Sequence, residues 1–280
     1  QVRLAARPNA EGGVDYYYVK DNVVADKAFL STSLEDSNTG PLSFTADGKT
    51  LYWMDSRDRD TTALFAEDTS TGQRQLIGQD SRADLGNTLR HPVTGVVQAY
   101  SVNYLQNEWK FIDVGLKDDF DWLQKQLGQG DVLVASRTKA DDKWIVGIDP
   151  VSKVAGTYLY DRQEKKLTML YVARPELQSA PLVPMQTAEI KARDGLTLPS
   201  YLTLPKGADS NGDGKADKPV PMVLLVHGGP WARDGYGYNG YHQWLANRGY
   251  AVLSVNFRAS RGFGKKFLSA GNLQWGLAMH

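Results

Sequence analysis

The 280-residue sequence has no cysteine, which excludes disulfide frameworks, thiolate nucleophiles and thiolate metal sites together and leaves the compartment open. It also has no surplus of either charge. Lys+Arg and Asp+Glu each number 32, so no basic field draws the chain to nucleic acid or to an anionic membrane surface. Long hydrophobic runs are missing too: Met222 to Val226 and Ala251 to Val255 are strand-sized, against the roughly 20 apolar residues that cross a bilayer. The opening Gln1-Val2-Arg3-Leu4-Ala5-Ala6-Arg7-Pro8 lacks an initiator Met, a basic start and an apolar core, so it does not read as a signal peptide. The expectation is a soluble protein, cytoplasmic or periplasmic/secreted, whose chain begins inside a longer one.

What is present is an ordinary globular composition, 41% hydrophobic and 23% charged, enough for one large domain or two smaller ones. Scaling for 31.0 kDa gives a folded surface of roughly 12,000 Å² against roughly 45,000 Å² unfolded, so a sizeable core is available.

Up to about residue 185 the pattern is short β-rich runs divided by turn chemistry. Asp47-Gly48-Lys49 turns into the strand Thr50-Leu51-Tyr52-Trp53. Ala63-Leu64-Phe65-Ala66 follows, and Asp68-Thr69-Ser70-Thr71-Gly72 leads into Arg74-Gln75-Leu76-Ile77. A later segment copies the plan: Asp142 to Gly147, Thr157 to Tyr160, the turn Asp161 to Lys166, then Leu167 to Leu170. Val96 to Tyr100 with Trp109 to Ile112, and Tyr16 to Val19, fit two further units. A spacing of about 40–50 residues with antiparallel strands and aspartate turns predicts β-propeller blades, with a β-sandwich as the alternative. Asp118 to Gly128 predicts a short surface helix inserted between blades, apolar at 120, 123 and 127 and closed by Gly128. The alternating charges of Asp55 to Asp60 read as a solvated loop.

Beyond Pro181 and Pro184 the pattern changes. Thr187 to Leu204, turning at Arg193-Asp194-Gly195, reads as a β-hairpin. Pro221 to Val226 is a continuous apolar run of the sort buried on both faces of a parallel sheet. Tyr241 to Arg248 reads as a helix with Trp244 and Leu245 inward and Gly249 as its cap, and Ala251 to Phe257 as a second buried strand. Strand, helix, strand is a right-handed crossover. The predicted division is therefore 1–185, a partial β-propeller of about four blades, and 186–280, the N-terminal part of an α/β domain.

Chemistry concentrates at His227-Gly228-Gly229-Pro230, placed at the C-terminal end of the first buried strand, where open α/β sheets put their ligand crevice. A Gly pair there can turn sharply and present bare N–H groups to a developing oxyanion. Together with Ser200 to Pro205, Trp231, Asn256-Phe257-Arg258-Ala259-Ser260-Arg261-Gly262-Phe263-Gly264 and Gly271-Asn272-Leu273-Gln274-Trp275-Gly276, this segment resembles the start of the catalytic domain of the prolyl oligopeptidase family of serine peptidases, in particular its acylaminoacyl-peptidase and dipeptidyl-peptidase-like branch. Ala259-Ser260 stands where that family usually has Gly-Ser.

The resemblance implies a propeller covering an α/β-hydrolase domain, a peptide substrate hydrolysed by acyl transfer through Ser, and no required cofactor. It implies that the N–H of Gly229, with Gly228, serves the oxyanion hole. It also implies that His227 orients this loop and is not the triad His. Trp231 and Arg258 are candidates for substrate contact or loop support. No Gly-x-Ser-x-Gly nucleophile elbow occurs in the 280 residues, and no member of the Ser/Asp/His triad is assigned. The expectation is therefore a fragment, inactive alone, of an active parent. Alternatives are a non-enzymatic propeller binding module and an esterase of the same fold. A rival triad would have to use His91, His242 or His280 with some serine.

Asp209, Asn211, Asp213 and Asp217 follow the oxygen-ligand spacing of a calcium loop, with Gly214 at the sixth position. The twelfth is Val220, so the closing carboxylate is absent and the loop is a weak Ca²⁺ candidate beside the plainer reading, a polar hairpin insertion. Open propeller and sheet edges make self-association into a homo-oligomer an expectation as well.

Overall fold

Short β-rich runs and aspartate-rich turns build four antiparallel sheets over the first 172 residues. The structure, a computed structural model, describes residues 2–128 and 130–279. In chain order the first sheet holds β1 (Leu4–Pro8), β2 (Val14–Lys20), β3 (Val23–Val24) and β4 (Leu30–Ser31), with β2 pairing all three others. The second is the four-stranded meander β5 (Gly40–Phe44), β6 (Thr50–Asp55), β7 (Ala63–Asp68), β8 (Arg74–Gly78). The third is β9 (Leu85–Arg90), β10 (Val97–Asn103), β11 (Asn107–Phe111). After α1 (Val114–Leu127) comes the fourth, the meander β12 (Asp131–Arg137), β13 (Lys143–Asp149), β14 (Gly156–Asp161), β15 (Lys166–Val172).

The repeated turns have a shared cause: an aspartate side chain accepts from the amides that follow it. Asp47 Oδ1 takes the Lys49 amide at 3.1 Å, and Asp161 Oδ1 takes the Gln163 and Glu164 amides, both at 3.1 Å. At Asp68 the Ser70 hydroxyl with the Thr71 and Ser70 amides holds the carboxyl down to about 2.

Among the described residues the largest buried side chains include Trp53, Trp144, Tyr160, Leu51 and Leu64. Helix α1 differs from its expected form. It begins at Val114, with Asp113 as N-cap accepting from the Gly115 and Leu116 amides, and it is no surface insertion. Leu116, Phe120 and Leu123 are buried with Ala99, Val132, Trp144, Val146 and Tyr160 in one cluster. The buried Asp119 on the same face accepts from Tyr160 at 2.7 Å and from Arg162 at 2.6 Å. Asp55 is a second correction: it is 5% exposed and ion-paired with Arg57 at 2.6 Å and Arg74 at 2.8 Å. The segment is packed at Asp55 and Ser56, where neighbouring guanidinium groups compensate the buried charge, and open to solvent at Asp58.

The last sheet is mixed: β16 (Met185–Lys191), β17 (Thr197–Thr203), β18 (Met222–Leu225) and β19 (Ala251–Val255) in the order β16-β17-β19-β18. β18 and β19 run parallel, joined through α2 (Gly240–Ala246); α3 (Lys265–Ser269) follows. This is the expected crossover, with two differences. β18 is an edge strand with one face uncovered: the alternate residues Met222, Leu224 and Val226 are more than half exposed instead of buried on both faces. On α2 the inner residues are His242, Gln243 and Ala246, while Trp244 faces outward, 54% exposed, and the cap is Asn247. Gln243 explains the difference: its amide exchanges hydrogen bonds with the Val183 amide at 2.9 Å and carbonyl at 2.8 Å, pinning the segment before β16 to the helix. The total accessible surface, 15,955 Å², exceeds the roughly 12,000 Å² of a compact chain of this mass, as open sheets and an uncovered edge require.

Candidate active site

The Gly-Gly loop leaves β18 at its C-terminal end, and three contacts shape it. The His227 ring stacks on Phe257 with centroids 4.5 Å apart and planes 19° from parallel. Its Nε2 lies 2.9 Å from Ser260 Oγ, and its Nδ1 2.8 Å from the Gly228 carbonyl. Ser260 is fully buried, and its hydroxyl donates to the Phe257 carbonyl at 2.6 Å. His227 thus joins the loop after β18 to the turn after β19.

Gly229 has φ +142, and a Cβ there would lie 2.7 Å from the Trp231 amide nitrogen. Only glycine fits this backbone without strain. Gly228 has open space around its Cα instead. Among the described residues no oxygen accepts from either the Gly228 or the Gly229 N–H. Val226, His227, Gly229, Pro230, Phe257, Trp275 and Met279 surround a cavity of about 390 Å³. An apolar pocket floor beside an unpaired backbone N–H can hold a carbonyl oxygen as negative charge grows on it.

The other expected residues lie around this centre. Trp231, 53% exposed, lines a second cavity of about 170 Å³ with Leu34 and Glu35 from the first sheet region, Asp84, Arg261 and Leu268. Arg258 donates to Asp194 at 2.7 Å, tying the β19 exit to the β16–β17 turn. Among the described residues neither His91 nor His242 joins a serine and a carboxylate into a triad. His91 Nδ1 accepts the Val93 and Thr94 amides in the turn between β9 and β10, both at 3.2 Å. His242 lies buried between Thr203 and Ser254, both at 2.8 Å, where desolvation pulls its imidazole down to about 4. His280 lies outside the described residues.

The 209–217 loop turns its carboxylates onto its own backbone. Asp209 accepts from the Gly212 and Gly214 amides at 2.7 and 2.8 Å, and Asp217 from Ser210 at 3.0 Å. Asn211 donates to Asp213 at 3.2 Å. Among the described residues no three His, Cys, Asp or Glu side chains gather as a metal-binding group.

Sequence reasoning missed Asp234 and Arg233. Asp234 Oδ2 is buried without a partner, and burial raises its carboxyl. Its backbone is clasped by Asn256, which accepts from the Asp234 amide at 2.8 Å and donates to its carbonyl at 3.2 Å. Arg233 donates to the Asn103 and Tyr104 carbonyls at 2.8 and 3.0 Å, and neither residue has a local signal, since Asn103 and Asn256 are distant in sequence.

Comparison with known proteins shows what the chain is similar to. Residues 236–279 match the model of the prolyl oligopeptidase family. The whole chain is 53% identical to dipeptidyl aminopeptidase BIII of Pseudoxanthomonas mexicana and spans 40% of that protein's length. It is 33% identical to dipeptidyl peptidase family member 6 of Caenorhabditis elegans, again over the whole chain and 41% of the relative. In fold it is similar to a puromycin-hydrolyzing peptidase of Mycobacterium tuberculosis, TM-score 0.65 and 16% identity, covering 99% of this chain and 45% of that one. A Pyrococcus horikoshii acylaminoacyl peptidase gives TM-score 0.62 at 17% identity, covering 98% and 41%. The chain therefore spans about two fifths of the curated relatives it matches along its whole length, and its residues 236–279 are similar to the prolyl oligopeptidase family.

Proposed function

We propose that the protein to which this chain belongs is a serine peptidase that hydrolyses short peptides by acyl transfer, and that these residues supply one wall of its active site. In this reading residues 1–185 are four blades of a propeller and 186–280 the first strands of an α/β-hydrolase domain. The observation that carries it is Gly229 itself, held at positive φ in the loop beyond a parallel strand, with an N–H that no described residue accepts, and lining an open cavity. The substrate carbonyl would place its oxygen there. Loss of one such donor typically costs about 2.7–4 kcal/mol of barrier. His227 sets the loop against Phe257 and Ser260, and Arg258 braces the turn beyond β19 through Asp194. The nucleophile and its base come from outside these 280 residues, so the chain alone is inactive.

The test is intact-mass spectrometry of the whole protein and of this chain before and after a fluorophosphonate that labels activated serines. One adduct on the whole protein and none on the 31.0 kDa chain is the expected result. An adduct on the chain alone would place the nucleophile among its own serines, and none on either would remove the peptidase reading. Ester and peptide turnover compared on the whole protein separates an esterase from a peptidase. The described helices include none long and apolar enough to cross a membrane, and we propose that the protein is soluble. The bare edge of β18, with Met222 and Leu224 each 57% exposed, supports self-association of the isolated chain, to be read by sedimentation.

A further inference from the structure

The loop that carries Gly229 is tied to the propeller by Arg233. Four residues beyond the glycine, its guanidinium crosses to the β10–β11 turn, where Nη1 donates to the Asn103 carbonyl at 2.8 Å and Nη2 to the Tyr104 carbonyl at 3.0 Å. The next carbonyl, Leu105, accepts from Tyr201 of β17 at 2.9 Å, and the Tyr104 hydroxyl donates to Glu189 of β16 at 2.5 Å. Three consecutive carbonyls of one propeller turn are therefore held by side chains of the last sheet and its loop. Arg233 lies over the Phe263 ring at 4.3 Å, and Gly262 leaves it room, since a Cβ there would meet Nη1 at 2.7 Å. Among the described residues no carboxylate pairs with this guanidinium within 4 Å, so carbonyl oxygens and a ring face are what fix it.

The path from Arg233 back to Gly229 has no slack. The Ala232 amide donates to the Pro230 carbonyl at 2.9 Å, the Arg261 amide to the Ala232 carbonyl at 3.0 Å, and Gly229 already sits against the Trp231 amide. A planar, two-pronged donor fixes direction as well as distance, which a lysine does not reproduce.

We infer that Arg233 is a positioning residue: by gripping the β10–β11 turn it sets the direction of the Gly229 N–H, so that the oxyanion site takes its working geometry only when the propeller is seated against the last sheet. The inference rests on the peptidase reading above. Misplacing a reacting group by about 1 Å can cost on the order of 100-fold in rate.

The experiment uses the whole protein and the variants Arg233→Lys, Arg233→Ala and Lys265→Ala. The last removes an ion pair to Asp36, 2.8 Å, elsewhere between the same two parts. Three quantities are read: kcat and KM on a fluorogenic peptide amide, affinity for a peptide boronate that mimics the tetrahedral intermediate, and hydrogen exchange over 226–235. Both Arg233 variants should lower kcat about 10- to 100-fold with KM within about twofold. Boronate binding should weaken in step and exchange in the segment should quicken, while Lys265→Ala resembles the wild type. Arg233→Lys keeps the test valid if the alanine variant does not fold. Wild-type kcat and boronate affinity in Arg233→Lys, a rise in KM alone, or equal losses in Lys265→Ala would overturn the inference. A wild-type protein that neither hydrolyses the peptide nor binds the boronate would instead overturn the peptidase reading and this inference with it.

Discussion

His227 Nε2 and Ser260 Oγ stand 2.9 Å apart, and the pair is architectural. Ser260 has no solvent access, and its hydroxyl also faces the Phe257 carbonyl at 2.6 Å. An activated nucleophile needs a base and an open path to a carbonyl carbon; this serine lacks the path. The pair instead fastens the Gly-Gly loop to the turn beyond β19. Ser260→Ala in the whole protein should therefore retain its single fluorophosphonate adduct and lose about 1 kcal/mol of stability, read by mass spectrometry and urea unfolding. Loss of the adduct with an intact melt would reassign the serine.

The two loop glycines should respond differently to a methyl group. At Gly229 a Cβ meets the Trp231 amide nitrogen at 2.7 Å on a φ of +142, whereas at Gly228 it meets nothing within 4 Å. Gly229→Ala should shift the loop and lower kcat of the whole protein by about 100-fold, and Gly228→Ala by less than about tenfold. Equal losses would mean that the direction of the Gly229 N–H does not govern the rate.

His242 makes stability depend on pH in a defined direction. Its imidazole is held near 4 by burial, whereas an unfolded histidine takes a proton at about 6.5. Between these values the unfolded chain binds more protons, so stability falls as pH drops from about 6.5 to about 4, by about 3 kcal/mol over the window. Urea midpoints measured across that range should decline, and His242→Gln should flatten the slope. A slope unchanged in the variant would assign the loss to other groups.

The 209–217 loop tests the calcium reading. Asp209 already accepts the Gly212 and Gly214 amides, so Asp209→Ala should cost about 1 kcal/mol with or without calcium. Isothermal titration of the whole protein with calcium should show no binding at micromolar levels. A calcium-dependent rise in melting temperature that Asp209→Ala abolishes would establish the site.

Much of the architecture was legible because its causes are local. Short β-rich runs between turns placed β6, β7, β13 and β14, and the aspartate turns at Asp68 and Asp161 close through amides two and three residues on. Glycines at His227 to Pro230 marked the loop, since backbone freedom is a property of the residue itself. Local reasoning failed where burial depends on which element arrives from elsewhere. The pattern around 118–128 reads as a surface helix, yet β13 and β14 bring Trp144 and Tyr160 onto its apolar face. Met222 to Leu225 reads as a central strand, but with β19 on one side only it is an edge. Trp244 reads as inward, but the Val183 segment claims Gln243 and turns the tryptophan out.

From residue order alone came the strand grammar, the change of pattern near residue 185, and the glycine loop from His227 to Pro230 as the candidate site. Only the folded chain decided that Ser260 holds His227, that Arg258 is committed to Asp194, and that Arg233 reaches Asn103 across 130 residues of sequence. The physical reason is that conformational preference resides in each residue and its near neighbours, whereas hydrogen-bond partners and burial are set by distance in space after the sheets have packed.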